Sequence, residues 1–320
     1  MAPLIARVLW YWELRPRRLS YFTPEGDFLD VRSFVIPPVP LSSGVSLTNS
    51  VSFRGVFRDG SILVVPNAVA ALNLAMTGPG ATTRGPFRLE QPILVLPRDT
   101  TVGLVGSGAL PPLDASAADT IGVFAGTEQY AYRAVVRPGG DVQQTVGDVV
   151  FGEVFLWAQG PDYVAVGTGK PYSVDLYDTA GALRGTISRP VGGVPVTDEI
   201  VRGYKDNMVA QASEEYRAIR AESAEILPAA DTLPAYSSLH FDQAGNLWVR
   251  EFCLPDAESD KPDQYSIFSP DGRWLAQLEL PADLSVLDRG ADYLLTRARD
   301  EMDVEQIRLY RIRRRPVGAR

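Results

Sequence analysis

The chain has 320 residues, 45% of them hydrophobic and 22% charged, with 28 glycines, 25 prolines and a formal net charge of −8. That balance supports a large core in a turn-rich chain and argues against a general binder of nucleic acid or anionic membrane. The one cysteine, Cys253, excludes an intramolecular disulfide and a cysteine-cluster metal site, and no apolar run reaches the ~18 residues of a membrane-spanning helix.

The start, MAPLIARVLWYWELRPRR, has too short an apolar core and no small-residue cleavage site for a signal peptide. IARVLWYWEL reads as a strand, with Trp10 and Trp12 expected in stacked packing and a sugar platform as the alternative. RRLSYFTPEGDFLDV is then a hairpin, and FVIPPVPLSSG a proline-rich connection. Within residues 51–125, SVSFRGVFRDGSILVV is a hairpin, PILVLPRDTTVGLVG and DTIGVFAG are strands, and a small-residue loop lies between. That loop's TGPGATTRG lacks the Lys-Ser/Thr of a phosphate-binding loop.

Residues 149–190 hold a complete unit of four strands, and one amphipathic helix is expected from Thr197 to about Ile226. Thr197 suits an N-cap, with Asp198 and Glu199 in the first turn, where the helix dipole favours acids. Ile200, Tyr204, Met208, Ala212, Tyr216 and Ile219 recur at three or four residues as one apolar stripe, and Pro228 bars continuation. From Tyr236 to Pro281, SSLHF, NLWVREF, QYSIF and RWLAQLEL are four more strands. Cys253, just past the second of these, is expected to be a buried, inert thiol. In the last unit, residues 284–313, DEMD falls on a turn between two strands. Its acids, Asp300, Glu301 and Asp303, with Glu305, lack the spacing and glycine of a calcium loop, so a solvated turn is expected. The basic end RIRRRPVGAR reads as a frayed terminus.

These units repeat. RRLSYFTPEGDFLDV, YSVDLYDTAGALRGTI and QYSIFSPDGRWLAQL align through Gly26, Gly181 and Gly272. An aromatic stands four residues before each glycine (Phe22, Tyr177, Phe268) and a bulky apolar residue two after it (Phe28, Leu183, Trp274). Both positions are expected to face a neighbouring sheet. GVFRDGSILVV, WAQGPDYVAVG, HFDQAGNLWVRE and LDRGADYLLTR align through Gly60, Gly160, Gly245 and Gly290. Four strands in about 45 residues is the size of a propeller blade. The expected fold is therefore an all-β β-propeller in one domain over residues 1–320, with a helical insertion at about 197–226. Five blade units stand near 5–35, 51–125, 149–190, 236–281 and 284–313; a β-sandwich or an irregular all-β domain is the alternative.

YSVDLYDTAGALRGTISRP, the following helix with VTDE, LPAYSSLHFDQAGNLWVREF, YSIFSPDGRWLAQLELP and RDEMDVEQIRLYRI resemble a family of six-bladed, NHL-like β-propeller proteins common in Gemmatimonadota and related soil bacteria. The resemblance is strong from about residue 149 onward and weak across 65–118. It implies a fold but no catalytic residues. Family members carry an export or lipoprotein signal and an additional first blade, so it also implies that this chain begins one blade late. A signal upstream of Met1 would make the protein periplasmic, secreted or lipid-anchored.

Two functions are open to such a chain. The first is a non-catalytic binding or scaffold propeller that takes a protein, peptide or glycan on a disc face or in its central channel. The second is a metal-dependent hydrolase or lactonase, which needs carboxylates and often histidine around a channel-bound cation. No cofactor is expected under the first; a divalent cation belongs to the second. The only histidine is His240, and no GxSxG elbow serves it as nucleophile. Candidate channel-lining residues are Arg54, His240 and Arg250.

Overall fold

One turn, used five times among the described residues, organises the chain. In Thr23–Asp27, Phe57–Ser61, Asp178–Ala182, Asp242–Asn246 and Ser269–Arg273 the first residue's N–H donates to the fifth residue's carbonyl at 2.8–3.1 Å. The fourth residue is always glycine, with φ between 79° and 95°, and its N–H donates to the first residue's carbonyl. A Cβ is disfavoured at such φ, so glycine is the residue this turn demands. The side chain of Thr23, Asp178, Asp242 or Ser269 also accepts the fifth residue's N–H, and Asp59 does so for Ser61. Gly160 and Gly290 belong to a different turn, in which their N–H groups bond the carbonyls of Tyr163 and Tyr293. The four-way glycine alignment of the sequence thus merges two turn types.

The structure, a computed structural model, describes residues 9–13, 18–23, 25–33, 39–40, 46–47, 51–66, 84–96, 119–135, 142–254, 261–299 and 301–313. It is mostly β, in several antiparallel sheets. Sheet 1 joins β1 (Leu9–Glu13), β2 (Arg18–Phe22) and β3 (Phe28–Ser33), and a short hairpin joins β4 (Val39–Pro40) and β5 (Ser46–Leu47). Sheet 2 runs β6 (Val51–Val56), β7 (Ile62–Pro66), β9 (Glu90–Leu96), β10 (Asp119–Ala125). A cap sheet orders β8 (Gly85–Phe87), β11 (Gln129–Val135) and β12 (Val142–Asp148), with β11 central. Sheet 3 is a meander of β13 (Leu156–Gln159), β14 (Tyr163–Gly167), β15 (Ser173–Asp178) and β16 (Leu183–Ser188). Sheet 4 repeats it with β17 (Tyr236–Phe241), β18 (Leu247–Glu251), β19 (Asp263–Phe268) and β20 (Trp274–Leu280). Sheet 5 holds β21 (Ser285–Arg289), β22 (Tyr293–Arg299) and β23 (Glu305–Arg311).

Sheets 2 to 5 pack face to face in chain order. Leu63, Val65, Ile93 and Val95 of sheet 2 meet Val164 and Val166 of sheet 3. Leu176 and Ile187 of sheet 3 meet Leu239, Leu247, Val249 and Phe268 of sheet 4. Trp248, Tyr265 and Leu280 of sheet 4 meet Leu294 of sheet 5. Along β18 the period of two sorts Leu247 and Val249 to one face and Trp248 to the other, so both faces are buried.

Where one helix was expected there are two, α1 (Asp198–Ala210) and α2 (Glu214–Ile226). Thr197 caps α1 by accepting the Ile200 N–H, as its sequence position suggests. The chain then turns at Gln211–Ser213 and a second acidic first turn, Glu214 and Glu215, restarts it. The reversal ends the apolar stripe: Ile200 and Tyr204 pack inward, whereas Tyr216 is exposed. Both helices and the cap sheet share a core of Tyr132, Phe151, Ile200, Tyr204 and Leu227, and Phe252 and Leu254 beyond β18 join it. Tyr132 donates to Ser223 at 2.7 Å, tying β11 to α2. The cap therefore sits where β13 and β17 begin and β18 ends. No helix among the described residues is long and apolar enough to cross a membrane.

Two further expectations need correction. Phe28, Leu183 and Trp274 are 60%, 55% and 57% exposed, so this position faces solvent and not a neighbouring sheet. Cys253 is exposed, because β18 ends at Glu251 and the thiol rides on the segment that leaves the sheet. The side chains of Trp10 and Trp12, most of the loop before Arg84, Asp300 and the tail from residue 314 lie outside the described residues.

Candidate functional site

The edge strands that come first in chain order in sheets 2 to 5, β6, β13, β17 and β21, end on one cavity of about 610 Å³. Each contributes its last residues and the start of its turn: Arg54 to Arg58, Gln159 to Pro161, Phe241 to Gln243, and Asp288 with Arg289. Because β13 and β17 start at the cap and end here, the cavity lies at the opposite end of these strands. Neighbouring turns are bonded across the sheets, Arg58 N–H to the Pro161 carbonyl at 2.8 Å and Gln243 N–H to the Arg289 carbonyl at 2.9 Å. These bonds fix the rim and hold the lining side chains in place.

The charged groups divide into those with an ionic or turn partner and those without an ion pair. Asp242 Oδ1 accepts the Ala244 and Asn246 N–H groups, and its Oδ2 accepts Asn246 Nδ2 and Trp248 Nε1. Asp288 accepts Tyr293 Oη at 2.8 Å, Gln243 Nε2 at 3.1 Å and its neighbour's N–H. Arg58 pairs with Asp162 at 2.7 Å. Arg54 and Arg289 form no ion pair among the described residues. Arg54 lies over the Trp157 ring at 5.5 Å, and Arg289 over Trp248 at 5.8 Å and Tyr265 at 5.9 Å. Burial holds the Arg289 guanidinium below its ordinary pKa.

Of the three residues nominated from the sequence, Arg54 lines this cavity, while His240 and Arg250 are not among its lining residues. His240 points to the sheet 5 side, opposite Trp248 in register, where burial first and the charges of Arg289 and Arg250 second push its pKa down to about 4. Arg250 pairs with Asp263 on β19. Arg289, Gln159 and Arg58 are lining residues that the sequence reading passed over. Their signal was in the repeat, since Gln159 and Arg289 each immediately precede an aligned glycine, Gly160 and Gly290. Among the described residues no group of three or more His, Cys, Asp or Glu side chains could hold a metal ion, and the acids Glu301, Asp303 and Glu305 sit at an exposed turn. A second concavity, about 920 Å³, lies on the cap face between α1 and Phe252–Leu254, with Ile200, Tyr204 and Lys261 in its wall.

No family model and no curated protein matches the chain. Among solved structures it is similar to one described as a complex of KlAtg21 with the coiled coil of AgAtg16, at 9% identity and TM-score 0.33, covering 96% of this chain and 68% of that one. It is also similar to regucalcin from Agrobacterium tumefaciens, at 12% identity and TM-score 0.22, over 92% of this chain and 80% of that one. A third is AztD of Citrobacter koseri, at 11% identity and TM-score 0.27, over 88% and 73%. Likenesses this distant carry no argument about what the cavity does.

Proposed function

We propose that sheets 1 to 5 are blades of a β-propeller of the six-bladed, NHL-like type, and that the protein is a non-catalytic binding or scaffold module. Its ligand, a protein, peptide or glycan, enters the channel mouth at the ends of β6, β13, β17 and β21. The observation that carries this reading is the convergence of four edge strands on one cavity whose rim is bonded turn to turn. Sequential face-to-face packing of meander sheets supports the propeller. Against a metal-dependent hydrolase stands the state of the lining acids. Asp242 and Asp288 already accept hydrogen bonds from their own turns, and among the described residues no nucleophile-base pair lines the cavity.

Hydrogen exchange with peptide and glycan libraries tests the reading. Protection should concentrate at residues 54–58, 159–161, 241–243 and 288–289. Protection confined to the cap face would reject the channel mouth. Ester or lactone hydrolysis abolished by a chelator would install the enzyme reading instead.

A further inference from the structure

Arg54 and Arg289 stand on β6 and β21, edge strands at the two ends of the four-sheet series, and both line the cavity. Aromatic rings seat both guanidinium groups, and Tyr265 and Asp288 act favourably on Arg289, but neither arginine forms an ion pair among the described residues. Arg289 Nε is also buried without a hydrogen-bond partner. A cation taken partly out of water is costly, and an incoming counter-ion recovers part of that cost. The third lining arginine, Arg58, already has Asp162, and the lining acids are engaged by their turns. The protein's overall charge of −8 repels anions at long range, so an anion that binds here is selected by local geometry.

We propose that the channel mouth is an oxyanion site in which a carboxylate or phosphate group of the ligand sits between Arg54 and Arg289, its apolar part resting on Phe241. This rests on the binding reading above and narrows it to anionic ligands.

Calorimetric titration of the full chain with citrate, inorganic phosphate and maltose tests it, the first two separating a carboxylate source from a phosphate source. At least one anion should bind saturably with a Kd on the order of 1 mM or tighter, and maltose should not. Arg54→Gln should weaken that binding about tenfold or more, because a charged hydrogen-bond donor is lost. Arg54 is exposed, so the variant's unchanged melting temperature will show that it folds. Arg311→Gln, on the exposed strand β23, removes the same charge elsewhere and should leave binding unchanged. Failure of both anions to bind, or equal weakening by Arg311→Gln, overturns the inference. A neutral ligand protected at the cavity and bound equally well by Arg54→Gln would also overturn it while leaving the binding reading intact.

Discussion

Phe268 and Trp274 are paired directly across the β19–β20 hairpin, yet Phe268 is 2% exposed and Trp274 is 57% exposed. The same pairing recurs as Tyr177 with Leu183 and Phe22 with Phe28, each beside a register shift next to the glycine turn. In sheets 3 and 4 the shift leaves the aromatic, Tyr177 or Phe268, between sheets and turns its partner on the last strand to solvent. Trp248, by contrast, is 2% exposed and packs with Tyr265, Leu280 and Leu294. Trp248→Ala should therefore cost ~3–5 kcal/mol in a urea melt, and Trp274→Ala less than about 1 kcal/mol. Comparable losses would place Trp274 inside an interface.

That contrast shows what a sequence repeat transmits. Glycine at positive φ and a cap oxygen three residues earlier are local requirements, so Thr23–Gly26, Asp178–Gly181, Asp242–Gly245 and Ser269–Gly272 announce their turns in the letters alone. The direction of a side chain at a bulge is not local, so the letters alone do not turn Trp274 to solvent; Cys253 is exposed for another reason, the end of β18 at Glu251, which its strand-like run does not mark. The cap sheet went unrecognised because β8 and β11 pair across more than 40 residues and carry no repeat glycine, although QYAYRAVV has strand chemistry. The break between α1 and α2 is marked not by the apolar period, which runs on through it, but by Ser213 with Glu214 and Glu215 after it, the signature of a second helix start. The cavity was half legible. Arg54 stands out on its strand, whereas the signal for Arg289 lies in the repeat, where it precedes Gly290 as Gln159 precedes Gly160.

The Asp242 carboxylate is the hub of its turn, accepting two backbone N–H groups, the Asn246 amide and the Trp248 indole. Asp242→Ala would strand these donors in a buried site and should cost about 2–4 kcal/mol. Asp242→Asn retains an acceptor and should cost less. Chemical denaturation of the two variants checks the order, and a loss within about 0.5 kcal/mol for the alanine variant would remove Asp242 from this role.

Gly181 and Gly272 occupy equivalent turns, at φ 79° and 81°, but their surroundings differ. A Cβ on Gly181 would meet the Ile121 carbonyl oxygen at 2.8 Å, whereas on Gly272 its nearest neighbour is Ile187 Cγ1 at 3.5 Å. Gly272→Ala should cost only the conformational penalty, about 1–2 kcal/mol. Gly181→Ala should lose a further ~1–3 kcal/mol, because backbone of sheet 2 must shift to admit the methyl group. Thermal melts of both variants decide; equal effects would mean that sheets 2 and 3 do not approach this closely at their outer turns.

His240 is held neutral, its pKa pushed down to about 4 by burial and by the charges of Arg289 and Arg250. The sign of the pH effect follows from linkage. Above pH 6.5, the ordinary value, neither the folded nor the unfolded chain carries the proton, and the histidine's full contribution is present. As the pH falls from 6.5 to 4, the unfolded chain takes up a proton that the folded chain refuses, so stability is lost. At ~1.4 kcal/mol per pH unit, the loss attributable to this one residue reaches about 3 kcal/mol near pH 4 and then levels off. Carboxylates titrate in the same range, so the measurement is a difference: urea melts of the natural protein and His240→Gln at pH 7, 5.5 and 4. The natural protein should lose about 3 kcal/mol relative to the variant across that series, while anion binding at pH 7 is unchanged by the substitution. A difference that stays constant with pH would mean that His240 titrates near its ordinary value and can exchange a proton near neutral pH.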